Sequence, residues 1–410
     1  MVTAPAPALP VTGTAGAGSG TAHWLRAARE TADDLATDAA TREQAAAPPF
    51  DEVSRLREAG LLPLLVPAQA GGGGADWRTA YAVVREIAAA DGAIGQLLAS
   101  HYFLSWSARL LAGAAAGARL DRAAARAHWC WGGGLAAREP APTLTGTAGR
   151  PVLDGRRSCV GGALVADRLA VRAVRADTGE PVAVVVDPAR PGVRIGGGTD
   201  TFGQRLAAGG SVEFDAVALA PDDVLGSLST DEDVLVPPAA PASSVGRLLS
   251  AQVRLGLAEG VLAEAREYGR ARPSRWHTGT WPDHTAADPQ ALTVFGELTV
   301  LTRSAGALAD QAVDAVEAGL ARGGDLSHEE CAEMSVLVAM AEAAASRAAQ
   351  ECTARALDVV GVRSAAAGLG FDRFWRNART HTLYEPVAHR LRDVGDYFLN
   401  GAHPPFDLPA

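Results

Sequence analysis

The texture of the sequence changes twice along the chain, and these two changes limit the folds that it can form. Residues 21–128 and 241–410 carry apolar side chains at the three- and four-residue spacing typical of amphipathic helices. Residues 129–240 are richer in Gly, Val and Pro and contain short apolar runs between turn signals. Helices, then strands, then long helices predict an α+β protein and disfavour an alternating α/β fold.

We therefore predict three folded regions and a tail. They are an N-terminal helical domain over 21–128, a middle β domain over 129–240 and a C-terminal helical bundle over 241–410. Residues 1–20 mix Ala, Pro, Gly and Thr, so they are predicted to form a disordered tail that cannot bury enough surface to offset its ordering entropy. They lack the basic and apolar segments of a secretory signal.

More detailed predictions follow from the same patterns. Apolar residues at helical spacing predict one helix over 82–98, another over 102–111 and a single final helix after the break at 368–371. Short apolar runs at 169–174, 182–186, 193–195 and 211–214 predict a small antiparallel sheet.

The composition excludes several classes of function. The net charge is −10 and the pI about 5.4, and no tract is rich in Lys or Arg, so neither nucleic acid nor a membrane surface is an expected partner. No apolar run approaches the ~20 residues needed to span a bilayer. The four cysteines are scattered without a C-x-x-C pair, which argues against a metal site or disulfides and favours a reducing, cytoplasmic location.

Generic catalytic motifs are missing from the sequence. The glycine run at 71–74 is not followed by Gly-Lys-Ser/Thr, and no G-x-G-x-x-G opens a helix, so a Rossmann-type nicotinamide site is unsupported. Neither G-x-S-x-G nor H-E-x-x-H occurs, so hydrolase and metalloprotease chemistry is unsupported as well. His101, and His381 with Glu385 four residues on, could serve a site, or could equally be packing and surface residues.

Three separated stretches resemble a known family. The first is 67–77 with Asp91-Gly92 and His101-Tyr102; the second is T-F-G-Q-R at 201–205, running on to 211–217 and 224–226; the third is F-D-R-F-W-R-N-A-R-T-H-T-L at 371–383, followed by 392–397. In the same order and spacing, from about residue 25 to 407, they resemble the acyl-CoA dehydrogenase superfamily. Within it they are most similar to the flavin-dependent monooxygenases of the dibenzothiophene monooxygenase type.

The resemblance implies the acyl-CoA dehydrogenase fold: an N-terminal helical domain, a middle β-barrel domain and a C-terminal four-helix bundle, assembled as a homotetramer. It also implies a flavin, FMN or FAD, between the β domain and the bundle. In this branch a separate flavin reductase supplies the reduced flavin, which reacts with O2 to give a C4a-hydroperoxide. The small-molecule substrate is oxidised at N, S or an aromatic carbon, and the Ala/Arg-rich composition is compatible with a biosynthetic role.

The resemblance assigns catalytic roles to three side chains. His101 is expected to manage the proton of the hydroperoxide, because an imidazole donates and accepts near neutrality. Tyr384 stands in place of a family histidine and is expected to donate a hydrogen bond, with His381 in support.

Six further residues are expected to hold the flavin: Trp131, Gly132, Gly133, Gly161, Arg272 and Arg363. The two arginines would bind its phosphate through their guanidinium groups. Gly133 and Gly161 stand where the family has Asn and Ser, which predicts a roomier and less polar pocket.

Two other functions stay open at this point. Tyr384-Glu385 is similar to the Tyr-Glu of true acyl-CoA dehydrogenases, so Glu385 could be the base of an α,β-dehydrogenation, although Pro386-Val387 replaces the usual Gly-Thr and only Arg138-Glu139-Pro140 remains of the family's flavin loop. The replacement of family polar residues at 133, 161 and 384 would also allow a non-catalytic oligomeric scaffold. The family motifs at 203–205 and 375–381 are intact, which argues against a scaffold. The substrate is not predicted.

Overall fold

The fold was obtained as a computed structural model that describes residues 19–137, 139–198, 200–229, 241–271, 288–384 and 386–404. Most of the predicted tail lies outside these residues. Ten α-helices and eight β-strands occur in the described part. No helix there is long and apolar enough to cross a membrane.

Five helices form the N-terminal region. They are α1 Ser19–Ala45, α2 Phe50–Glu58, α3 Trp77–Ala90, α4 Gly92–Leu111 and α5 Ala114–Ala127. The break between α3 and α4 lies at Asp91, whose carboxylate accepts hydrogen bonds from the backbone N–H groups of Ala93 and Ile94 at 3.0 and 3.2 Å. The predicted break between 98 and 102 was wrong, because α4 continues through these residues. The apolar spacing does not change at Asp91, so it did not reveal that Asp91 caps a new helix.

Eight strands form the middle region. They are β1 Trp131–Gly134, β2 Thr143–Thr147, β3 Arg150–Val160, β4 Arg168–Arg175, β5 Pro181–Val186, β6 Val193–Gly198, β7 Gly210–Ala218 and β8 Val224–Ser227. The sheet order is β6-β7-β3-β2-β4-β5-β8, and β1 also pairs with β4. Both β1 and β2 run parallel to β4. The sheet is therefore mixed, and the purely antiparallel prediction was wrong in this respect.

Both faces of the sheet are buried where it meets the helices. Along β4 and β5, Leu169 and Val184 point into the sheet's own core, whereas Ala170 and Val185 belong to the core shared with the helices. Strand residues alternate between faces. This burial on both sides explains why β5 reads as an uninterrupted apolar run.

Five helices complete the chain. They are α6 Ala242–Ala271, α7 Pro289–Arg322, α8 His328–Val360, α9 Asp372–Tyr384 and α10 Val387–Asn400. Two helices follow residue 371 where the sequence predicted one, since Pro386 has no backbone N–H to continue a helix and stands directly before α10. α6 packs against α8 and α3 and so joins the bundle to the N-terminal helices. The expected order of helical domain, β domain and helical bundle is confirmed.

Candidate active site

Three glycines form a bare stretch of backbone where β1 meets the end of β3; we call Gly132, Gly133 and Gly161 the glycine edge. The Gly133 N–H donates to the Gly161 carbonyl at 2.8 Å. Gly133 has φ +141°, and a Cβ there would lie 1.9 Å from the Ala170 carbonyl oxygen. A Cβ on Gly161 would meet only the Gly133 carbonyl oxygen, at 3.7 Å.

The glycine edge corrects one prediction and leaves another open. At Gly161 a side chain would meet a single atom within 4 Å, so the expected roomier pocket stays a prediction there. At Gly133 the expectation was wrong, because the backbone of β4 fills the position where a larger side chain would begin. With this backbone the position cannot carry the family's Asn.

His101 holds the start of β1 in place. Its Nδ1 lies 3.0 Å from the backbone nitrogen of Trp131, and its Nε2 lies 2.7 Å from the Leu62 carbonyl oxygen. Nδ1 therefore accepts and Nε2–H donates, which fixes a neutral tautomer. Burial lowers the pKa of His101 to about 4. Both ring nitrogens are engaged by backbone, so proton transfer by His101 stays a prediction that requires one of these bonds to open.

The other residues expected to hold the flavin are placed differently. The indole of Trp131 is 2% exposed and packs in the core, with its ring centroid 6.1 Å from that of Trp129, so only its backbone borders the glycine edge. Arg363 lies half-buried in the turn after α8, and its side chain has no partner among the described residues. Arg272 and Glu385 lie outside the described residues, so their roles stay predictions.

α9 is fixed by the loop that precedes β7. The Gln204 backbone N–H donates to the Asn377 Oδ1 at 2.6 Å, and the Gln204 side-chain amide donates to the Asn377 carbonyl at 3.2 Å. A Cβ on Gly203 would lie 2.1 Å from the Arg376 carbonyl oxygen. The two most family-like stretches of the sequence thus form one structural unit.

His381 is the centre of a buried polar chain that sequence reasoning missed. Its Nδ1 accepts from the Nε–H of Arg254 at 3.1 Å, and its Nε2 lies 2.6 Å from the Gln96 Oε1. Arg254 donates to Glu342 at 2.9 Å, and both side chains are almost fully buried. Burial, and then the charge of Arg254, lower the pKa of His381 well below its usual value. The sequence offered one signal for this chain: Arg254 and Glu342 are each the single charged residue in an otherwise apolar stretch.

Tyr384 ends α9 and is 43% exposed. Burial, and then the nearby thiol of Cys159 at the end of β3, raise the pKa of Tyr384. Its phenol is therefore protonated at neutral pH and can donate a hydrogen bond. The influence of Cys159 on this pKa shows that Tyr384 lies near the end of β3, where Gly161 follows; we call the region between the end of β3 and the end of α9 the cleft.

Comparison with known proteins decides the family. The model of the acyl-CoA dehydrogenase N-terminal domain matches residues 22–116, and that of the C-terminal domain matches residues 248–388. The chain belongs to the acyl-CoA dehydrogenase family. The predicted family and fold are confirmed.

Several relatives within this family are monooxygenases. The chain is 34% identical to dibenzothiophene monooxygenase of Rhodococcus erythropolis over 92% of its length and 93% of that protein's. It is 31% identical to the probable FMNH2-dependent monooxygenase SfnC of Pseudomonas putida, over 93% and 95% of the two chains. The FMN-bound structure of TdsC from Paenibacillus sp. A11-2 superposes with a TM-score of 0.87 at 32% identity, covering 94% and 99%. The predicted class, a flavin-dependent oxidoreductase of the monooxygenase type, is confirmed.

Proposed function

We propose that this acyl-CoA dehydrogenase family member binds reduced FMN in the cleft and uses it with O2 to oxygenate a small, neutral organic molecule. The observation that supports this most directly is the Gly161 backbone, beside which only the Gly133 carbonyl oxygen lies within 4 Å of the side-chain position. FMN is preferred to FAD because SfnC is described as FMNH2-dependent and TdsC was solved with FMN.

The residues around the cleft fit a flavin. Within the glycine edge, Gly161 has room beside its backbone for a ring system, whereas Gly132 and Gly133 pack against neighbouring backbone. Arg363 has no side-chain partner among the described residues and is proposed, with Arg272, to bind the phosphate. When bound, reduced flavin supplies the electrons that activate O2, so that one oxygen atom enters the substrate and the other leaves as water.

The chain's own side chains then have distinct tasks. Tyr384 is proposed to donate a hydrogen bond from its protonated phenol to oxygen in the cleft. His101 positions β1, and His381 positions the floor of the cleft through Gln96. Because no nicotinamide motif is present in the sequence, we also propose that a separate flavin reductase supplies the reduced flavin.

The test mixes the purified protein, loaded anaerobically with photoreduced FMN, with ¹⁸O2 and dibenzothiophene, and detects the product by mass spectrometry. We expect one ¹⁸O atom in the product. We also expect Tyr384→Phe to keep the FMN affinity within about twofold and to lower product formed per FMN by about tenfold, the loss of one strong hydrogen bond.

Two results would contradict the proposal. Bleaching of oxidised flavin by butyryl-CoA, without any ¹⁸O incorporation, would replace it with a dehydrogenation in which Glu385 is the base. Failure to bind FMN would leave the scaffold function.

A further inference from the structure

Two side chains of α4 are less buried than their neighbours. From Asp91 to Leu104 every residue is buried except Gln96 and Ser100, which are half-buried. The residue after Ser100 is His101, which is bonded to β1, and Gln96 is bonded to α9 one turn before Tyr384. Gln96 and Ser100 therefore lie where α4 passes between the start of β1 and α9.

The hydrogen-bond direction of this pair is fixed from the core. An arginine can only donate, so Arg254 makes the His381 Nδ1 an acceptor and places the proton on Nε2. Nε2–H must then donate to the Gln96 Oε1, which turns the Gln96 amide nitrogen towards Ser100, 3.2 Å away. Ser100 accepts this bond, and its own O–H has no acceptor within the described residues.

The charge around the pair is already balanced. The guanidinium of Arg254 is paired with Glu342. Glu342 is paired in turn with Arg390, whose Nε lies 3.1 Å from its Oε2, and Arg390 is paired with Asp393 at 2.9 Å, so two positive charges face two negative ones. The pair thus offers hydrogen-bond donors without a net charge. A neutral acceptor atom fits this pair better than an anion, because Arg254 and Arg390 are already paired with carboxylates.

We propose that Gln96 and Ser100 bind a neutral hydrogen-bond acceptor on the substrate, and that Arg254 and His381 are positioning residues that aim their donors into the cleft. This rests on the proposed function and names the substrate class: an apolar ring system that carries an uncharged acceptor such as a sulfoxide or carbonyl oxygen. The chain Arg254–His381–Gln96–Ser100 spans α6, α9 and α4, so it links the bundle to the N-terminal domain.

The test compares two ligands that differ only in the acceptor. Dissociation constants of dibenzothiophene and dibenzothiophene sulfoxide are measured by calorimetry on protein loaded with oxidised FMN, where no turnover occurs. We expect the sulfoxide to bind about five- to tenfold more tightly, the contribution of one or two hydrogen bonds. Because both ligands share the ring, their affinity ratio cancels any general damage to the fold.

Variants assign the preference to individual residues. Ser100→Ala and Gln96→Leu, both half-buried, should bring the ratio to within about twofold of one. His381→Phe should do the same, whereas His381→Gln should restore the ratio, because a Gln amide can accept from Arg254 and donate to Gln96. Ser105→Ala, at another half-buried serine of α4, is the control and should keep the wild-type ratio.

A wild-type ratio near one, in protein that binds FMN and incorporates ¹⁸O, would overturn this inference and leave the proposed function standing. An unchanged ratio in Ser100→Ala and Gln96→Leu would overturn the assignment to these residues. If His381→Gln lost the preference for the sulfoxide as His381→Phe does, the positioning role of His381 would be overturned.

Discussion

At the scale of single residues, His101 is a predicted catalytic side chain that also holds two segments of backbone together. Its neutral ring joins the backbone of β1 to that of residue 62. The unfolded chain binds a proton on this histidine near pH 6.5, whereas the folded protein does so only near pH 4. Between these values the unfolded state holds more protons, so stability is full above pH 6.5 and falls as the pH drops towards 4.

This linkage predicts a measurable slope. From pH 7 to pH 5, His101 should lower the free energy of unfolding by about 2 kcal/mol. His101→Gln keeps a donor and an acceptor but has no titrating group. The free energy of unfolding of this variant should therefore fall by about 2 kcal/mol less than that of the wild type over the same range. Urea unfolding of both proteins at the two pH values checks this, with the exposed His389→Gln as the control. Parallel pH dependence of His101→Gln and the wild type would contradict the buried, neutral assignment.

Site residues that belong to a sequence motif were predictable. Site residues that are identified only by their tertiary contacts were not. The positions of His101, Gly161 and Tyr384 follow from the family resemblance. The structure brings Tyr384 near Cys159, two residues before Gly161, and the roles of these residues stay predictions. The partners Arg254 and Glu342 could not be derived, because they are 88 residues apart and each looks like an ordinary helix charge in sequence. The sequence likewise could not show that both ring nitrogens of His101 are bonded to backbone that is distant along the chain.

At the scale of elements, helices and apolar strands were predictable, and their pairing was not. The runs that became β4 to β7 were recognised from apolar residues between turns, whereas β2 and the exposed, Arg-rich β3 carry little apolar signal. The parallel pairing of β1 with β4 depends on chain connections that no local pattern encodes. Helix ends followed caps, as at Asp91, more closely than they followed apolar spacing.

The contact between β1 and β4 predicts opposite results for the same substitution at two glycines. Gly133→Ser places a Cβ against the Ala170 carbonyl oxygen at a φ that side chains rarely adopt, so it should cost more than about 3 kcal/mol or prevent folding. Gly161→Ser enters open space and should change the free energy of unfolding by less than about 1 kcal/mol. Chemical denaturation of both variants checks the pair. Equal stability of the two would mean that β1 does not approach β4 as described.

At the scale of the whole molecule, α10 presents its faces in an unusual way. It buries Arg390 and Asp393, which are bonded to each other at 2.9 Å, and exposes Phe398 by 84% and Leu399 by 77%. An apolar pair this open on a helix that buries Arg390 and Asp393 is typical of a surface covered by another protein molecule. The homotetramer expected from the family resemblance offers such a cover.

We therefore expect light scattering to give a mass four times the 42.0 kDa of the chain. Phe398→Glu combined with Leu399→Glu should lower that mass, because two charges would be buried without partners at the interface. Arg392→Glu changes an exposed charge on the same helix and should leave the assembly intact. A neighbouring subunit that helps to hold the flavin would make FMN affinity fall together with the mass of the double variant. A wild-type protein that is monomeric at micromolar concentration, with unchanged FMN affinity in the double variant, would show that each chain completes its own site.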